Sequence, residues 1–167
     1  NAMSAGGTGA SNIFNSNIAI GVDAMSLVAE QVYNEDASGN IAIGDSALKG
    51  GQLANTNSLI GNIAIGHQAL DGTNTDAHTG TIAIGYQALS GLSSGGSNVA
   101  IGYQAMLLVT TGGSNIAIGK SVMDGAKAAG SDSHNIFVGA DAGGGAWGAG
   151  ATCNYNIGIG SNVMDAG

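Results

Sequence analysis

The chain has no proline and no arginine among its 167 residues, and a single cysteine, Cys153. Without proline, its glycines are not collagenous. With one cysteine, no disulfide can close within the chain, and Cys153 reads as a small, half-buried apolar residue. Charge is scarce as well: Asp, Glu, Lys and Arg together make up 8%, against about 25% in an ordinary soluble domain. Three lysines face eleven acids, for a net charge of −8 and a pI near 4.2. Such a surface has no cationic stripe to neutralise phosphates, which argues against a nucleic-acid partner, and anionic membranes repel it. No apolar run approaches the roughly 18 residues a membrane-spanning helix needs, so no direct insertion into a membrane is expected.

What is present is 31 glycines together with 44% hydrophobic residues, too apolar a chain to be disordered. The length is that of one domain, and no shift of composition divides it. The polar surface must be mostly Asn, Ser, Thr, Gly and Gln, a neutral coat that suits work outside cells or on virions. Asn1-Ala2-Met3 looks like the remnant of a cleaved expression tag joined to a start methionine, and residues 4–16, rich in Gly, Ser and Asn, read as an N-terminal cap. Residues 17–167 are a repeat array.

The repeated phrase is complete as Asn17-Ile18-Ala19-Ile20-Gly21-Val22-Asp23-Ala24-Met25. Further copies start at residues 40, 62, 81, 98, 115, 135 and 156, in steps of 23, 22, 19, 17, 17, 20 and 21 residues. A period of this size marks a solenoid in which each copy is one rung. Alternation of large and small residues predicts a short strand, since successive side chains of a strand point to opposite faces. Glycine at the fifth position predicts a sharp corner, and the Ala-Leu or Ala-Met pair beyond it a second short apolar strand, followed by a loop of 8 to 14 residues.

The β-branched residues share one face and are expected to form the buried core: Ile18, Ile20, Ile41, Ile43, Ile63, Ile65, Ile82, Ile84, Val99, Ile101, Ile116, Ile118, Ile136, Val138, Ile157 and Ile159. The opposite face carries alanine in six of the eight copies, flat enough for another chain to approach. One rung cannot fold alone: its apolar burial is worth about 5–8 kcal/mol, less than the entropy of fixing about 20 backbones at 1–2 kcal/mol each. The rungs must stack.

Candidate binding residues follow from the stacking. His67-Gln68, Tyr86-Gln87 and Tyr103-Gln104 occupy equivalent positions of successive copies, so His67, Tyr86 and Tyr103 form a ladder of rings beside a ladder that includes Gln87 and Gln104, with rungs about 4.8 Å apart. Aromatic ladders can stack sugars; mutual stabilisation of the rungs is the plainer reading. The longest connection, Ser26 to Gly39, carries Glu30 and Tyr33 and reads as a projecting loop, or as a merely solvated insertion. Trp147, the only tryptophan, reads as a plug over the end of the apolar column or as a recognition residue. His78 and His134 stand in loops with no chemistry attached. The stretch from Asp71 to His78 mimics a calcium loop, but its acids and glycine are out of register. No Ser-His-Asp spacing, carboxylate pair or metal-ligand set appears, so neither an enzyme nor a bound metal or cofactor is expected.

The phrase Asn-Ile-Ala-Ile-Gly-x-x-Ala-Leu resembles the head repeats of YadA-like trimeric autotransporter adhesins and, more closely, the Ala-Ile-Gly-Tyr-Gln-Ala-Leu repeats of phage tail fibres and related virion adhesins. The resemblance covers about Asn17 to Met164. It implies an all-β fold, a left-handed parallel β-roll contributed by each of three chains and packed around a threefold axis. It also implies a homotrimer on a bacterial cell surface or a virion, attaching to a protein or glycan of the host. The long, variable loops depart from the shorter, uniform repeats of adhesin heads and favour the virion or an outlying adhesin branch. A purely structural spacer within a fibre is the main rival. A hexapeptide acyltransferase helix would need three tandem hexapeptides per coil, a leucine-rich repeat a regular leucine ladder, and an ice-binding solenoid arrays of Thr-x-Thr; the chain has none of these.

Overall fold

The computed structural model describes residues 4–5, 15–27, 36–50, 58–72, 78–125, 132–145 and 153–165. Every regular element among them is a β-strand. In chain order these are β1 (Ser4–Ala5), β2 (Ile18–Ile20), β3 (Ser26–Leu27), β4 (Asp36–Ser38), β5 (Ile41–Ile43), β6 (Ser58–Ile60) and β7 (Ile63–Ile65). There follow β8 (His78–Thr79), β9 (Ile82–Ile84), β10 (Val99–Ile101), β11 (Ile116–Ile118), β12 (Ile136–Val138) and β13 (Ile157–Ile159).

The eight strands of the repeated phrase form one parallel sheet in the order β2-β5-β7-β9-β10-β11-β12-β13, each copy beside the next. Register is strict: Ile63 lies beside Ile82, Ala64 beside Ala83 and Ile65 beside Ile84. The chain is thus an all-β parallel β-solenoid. A second parallel sheet, β4-β6-β8, comes from the residues just upstream of each phrase, and the bridges Ser94–Thr111 and Ser133–Asn154 continue the pairing in later rungs. β1 pairs with β3.

Two expectations are corrected. The Ala-Leu step is a turn, and the second sheet lies in the stretch read as loop. Left-handed backbone at alternate residues, such as Gln87 at φ 54° and Leu89 at φ 54°, curls the chain there and prevents a strand. Glycine at the fifth position is required twice over: Gly44 has φ 133°, and a Cβ added to it would stand 2.6 Å from the carbonyl oxygen of Gly66.

The second correction concerns what is inside. Ala42, Ala64, Ala83, Ala100 and Ala117 are completely buried, together with Leu48, Leu70, Leu89 and Met106 from the turn. The alanine face is therefore the core of the single chain. Ile18, Ile20, Ile41, Ile43, Ile63, Ile65, Ile82, Ile84, Val99, Ile101, Ile116, Ile118, Ile136, Val138, Ile157 and Ile159 face outward in two columns, and none of them is buried. The reason is volume. The coil is thin, so opposite a leucine or methionine it has room only for a methyl group. The seventh copy demonstrates the limit, because Phe137 replaces the alanine and is accommodated by glycine at two neighbouring core positions. A Cβ on Gly158 would lie 2.6 Å from the Phe137 ring, and one on Gly143 would lie 3.0 Å from it.

An asparagine ladder ties the two sheets together. Asn40 donates from its backbone N–H and its Nδ2 to Oδ1 of Asn17, at 2.9 and 3.1 Å, and from Nδ2 to the carbonyl of Leu59 at 2.7 Å. The same three bonds recur at Asn62, Asn115 and Asn135. In the fourth copy Thr81 takes the asparagine's place, and its buried Oγ1 has no hydrogen-bond partner. The carbonyl that an amide at that rung would engage, Gly95 O, instead lies 3.0 Å from His78 Nδ1. His78, expected in a loop, is a completely buried strand residue.

Candidate functional site

Beyond each glycine corner the sixth position of the phrase turns outward, and the strict register stacks these side chains. His67 and Tyr86 lie with ring centroids 5.3 Å apart and planes within 8° of parallel; Tyr86 and Tyr103 follow at 5.3 Å and 9°. Beside them the Gln87 amide donates to Gln68 Oε1 at 2.9 Å, and the Gln104 amide to Gln87 Oε1 at 3.0 Å. Backbone bonds from Gln87 N–H to His67 O and from Gln104 N–H to Tyr86 O, both 2.9 Å, hold the rungs in line. At the start of the column His67 Nε2 is 3.6 Å from Asp45 Oδ2. The structure thus brings His67, Tyr86, Tyr103, Gln87 and Gln104 into one exposed strip.

Its chemistry is set by which ring surfaces remain. Both faces of Tyr86 are covered by its neighbours, and one face each of His67 and Tyr103. A stacking sugar needs a whole ring face, so the strip offers solvent mainly edges, phenol hydroxyls and amide groups. A second, shorter stack joins His134 to Tyr155, with centroids 5.0 Å apart. Glu30, Tyr33 and Trp147 lie outside the described residues, as do residues 73–77 of the calcium-like stretch.

The larger surface is the one that the sequence reading placed inside. The two Ile/Val columns run the length of the eight-stranded sheet, seven steps of about 4.8 Å or roughly 34 Å, and no other element among the described residues covers them. The signal that could have revealed this is the volume of the interior: alanine in six of eight copies suits the inside of a narrow coil.

Electrostatics adds little local chemistry. Desolvation raises the Asp71 carboxyl above its ordinary value, with the Asp71 backbone bond, His67 and Lys49 opposing. Asp124 is raised first by desolvation and then by Asp141 and Asp165, while bonds to Ser121 and to its own backbone oppose the shift. Lys49 and Asp23 form an exposed ion pair at 3.1 Å. Among the described residues no group of three His, Cys, Asp or Glu side chains could hold a metal ion, and no helix is long and apolar enough to cross a membrane. A cavity beside Phe137, lined also by Val109, Met123 and Cys153, has room for about one water molecule. No protein-family model, characterised protein or solved structure matches the chain.

Proposed function

We propose that the chain is the repeat module of a homotrimeric fibre, a left-handed parallel β-roll whose three copies pack laterally through their Ile/Val faces. The Ile/Val face, which no other described element covers, carries this reading. Two columns of β-branched side chains about 34 Å long by 10 Å wide make an apolar patch of roughly 300–400 Å² per chain, as large as a monomer commonly exposes and typical of a surface that meets a partner. A second copy presents the same flat face with the same spacing, so the columns interdigitate around an axis parallel to the solenoid.

The module stands on the outside of a bacterial cell or a virion and serves attachment to a host protein or glycan. The sparse charge of the coat and the resemblance to adhesin-head and tail-fibre repeats support that placement. The chain is a binding and structural part, with no enzymatic role, metal or cofactor. Within it the His67–Tyr103 strip acts chiefly as a spacer element, because its ring faces are taken up by one another.

Absolute mass by light scattering after size exclusion tests the assembly. A dilute species of three times 16.1 kDa is expected. Ile65→Lys, on the outer face of a central rung, should reduce it to one chain that still folds. A wild-type mass of 16.1 kDa at every concentration would sink the lateral reading.

A further inference from the structure

We propose that Tyr86 and Tyr103 are a site of oxidative modification, where the two rings join as a dityrosine that staples the fourth rung to the fifth. The register of the ladder carries the inference. Both tyrosines hold the sixth position of the phrase, in copies that start 17 residues apart. Their ring centroids lie 5.3 Å apart with planes within 9° of parallel. Each ring is thus nearly a translated copy of the other, and the carbons ortho to the two hydroxyls face one another. Bonds on either side fix the pair: Gly102 N–H donates to Ile84 O at 2.8 Å, Gln104 N–H to Tyr86 O at 2.9 Å, and the Gln104 amide to Gln87 Oε1 at 3.0 Å.

Coupling of two phenols needs proximity, access to an oxidant and freedom to pivot, and the strip supplies all three. From 5.3 Å the rings need to close by only roughly 1–2 Å to reach carbon–carbon contact at about 3.5–4.0 Å. Tyr86 is 43% and Tyr103 50% exposed, so an oxidant reaches both phenols. Exposed side chains reorient within picoseconds to nanoseconds, which lets the rings pivot as the bond forms. Held side by side by the fold, each ring meets its partner as an intramolecular reactant, at an effective concentration that no free phenol in solution matches.

The co-reactant is hydrogen peroxide, activated by a haem peroxidase. Each tyrosine gives one electron to the peroxidase and its phenolic proton to water, leaving two phenoxyl radicals with spin density on the ortho carbons. One ortho carbon of each ring joins the other in a new C–C bond. Each then releases its ring hydrogen as a proton while the oxygen takes one up, which restores two phenols. In sum the pair loses two hydrogen atoms, and one peroxide is reduced to two waters.

Position singles out this pair. Of the four tyrosines, Tyr33 lies outside the described residues, and Tyr155 stacks on His134 rather than on a second phenol. On its other face Tyr86 meets His67, again not a phenol. The close stacking that denies a sugar a ring face is the arrangement that radical coupling requires. The product ties β9 to β10 within the eight-stranded sheet by a bond that neither urea nor a thiol breaks.

The full chain, kept dilute and treated with a haem peroxidase and peroxide in excess over its single thiol, tests this. Dityrosine fluorescence should appear at a rate per chain that does not depend on protein concentration. On a reducing, denaturing gel the product should run as one chain, and peptide mass spectrometry should place the loss of two hydrogens between residues 86 and 103. Tyr86→Phe and Tyr103→Phe keep a stacked ring and remove one phenol, and each should abolish the signal; Tyr155→Phe should leave it intact. A folded wild type that yields no dityrosine, a product found only between chains, or full signal from Tyr103→Phe would overturn the proposal.

Discussion

Replacing Asn115 with leucine tests whether the asparagine ladder holds the solenoid together. Asn115 is completely buried. Its Nδ2 donates to Asn98 Oδ1 at 3.0 Å and to the Asp132 carbonyl at 2.7 Å, and its Oδ1 accepts from the N–H and Nδ2 of Asn135 at 3.1 and 3.0 Å. Leucine has the same branching and forms none of these bonds. Asn98 Oδ1 keeps the backbone N–H of residue 115, and the Asn135 amide keeps the Cys153 carbonyl, so the damage concentrates on the Asn135 N–H and the Asp132 carbonyl. At about 1–3 kcal/mol for each of these two buried groups losing its partner, the cost is about 2–6 kcal/mol. For a chain of this length that lowers the thermal midpoint by about 4–24 °C. Urea and thermal unfolding followed by far-UV circular dichroism, at matched protein concentration, measure it. Thr81→Asn is the control of opposite sign: it replaces a buried, unpartnered Oγ1 with an amide able to reach Asn62 Oδ1 and to receive Asn98. Because His78 already engages the Gly95 carbonyl, the gain is limited to about 1–2 kcal/mol. An Asn115→Leu variant within about 0.5 kcal/mol of the wild type, or a destabilised Thr81→Asn, would refute the ladder's role.

Gly44→Ala should cost more than about 4 kcal/mol or abolish folding, since it combines φ 133° with a Cβ 2.6 Å from Gly66 O; a normal unfolding curve would contradict the corner geometry. Gly158→Ala should destabilise by about 1–3 kcal/mol through overpacking, and Phe137→Ala should relieve it in the double variant, which a double-mutant cycle reads directly. The raised carboxyls of Asp71 and Asp124 bind protons more readily in the folded chain than their unfolded value of 3.8 allows. Stability should therefore rise as pH falls from neutral toward that value, and Asp124→Asn should flatten the slope. A thermal midpoint that drops steadily from pH 7 to pH 5 would contradict both assignments.

Much of the architecture was legible in the repeats. Eight registered copies with variable spacers admit little but a solenoid, and equivalent positions must stack, so the His67–Tyr86–Tyr103 column and its amide partner column followed from spacing alone. The asparagine ladder was half legible, since Asn opens seven of the eight copies, but its cross-links engage backbone carbonyls that no sequence pattern marks. His78 looked like a loop residue because the second sheet has almost no pattern: Ala37, Leu59 and His78 share one position there. What holds that sheet is the ladder of backbone bonds, which is blind to side-chain type.

The sequence by itself determined the rung, its strand and its glycine corner, because period-two alternation and a residue without Cβ are local facts of the backbone. It also determined that the strand has two unlike faces. Only the tertiary structure decided which face turns inward. Alternation is symmetric between inside and outside, and the choice falls to the width of the closed coil. That width admits a methyl group opposite leucine and excludes a β-branched side chain, so the isoleucines lie outside, where a partner can cover them.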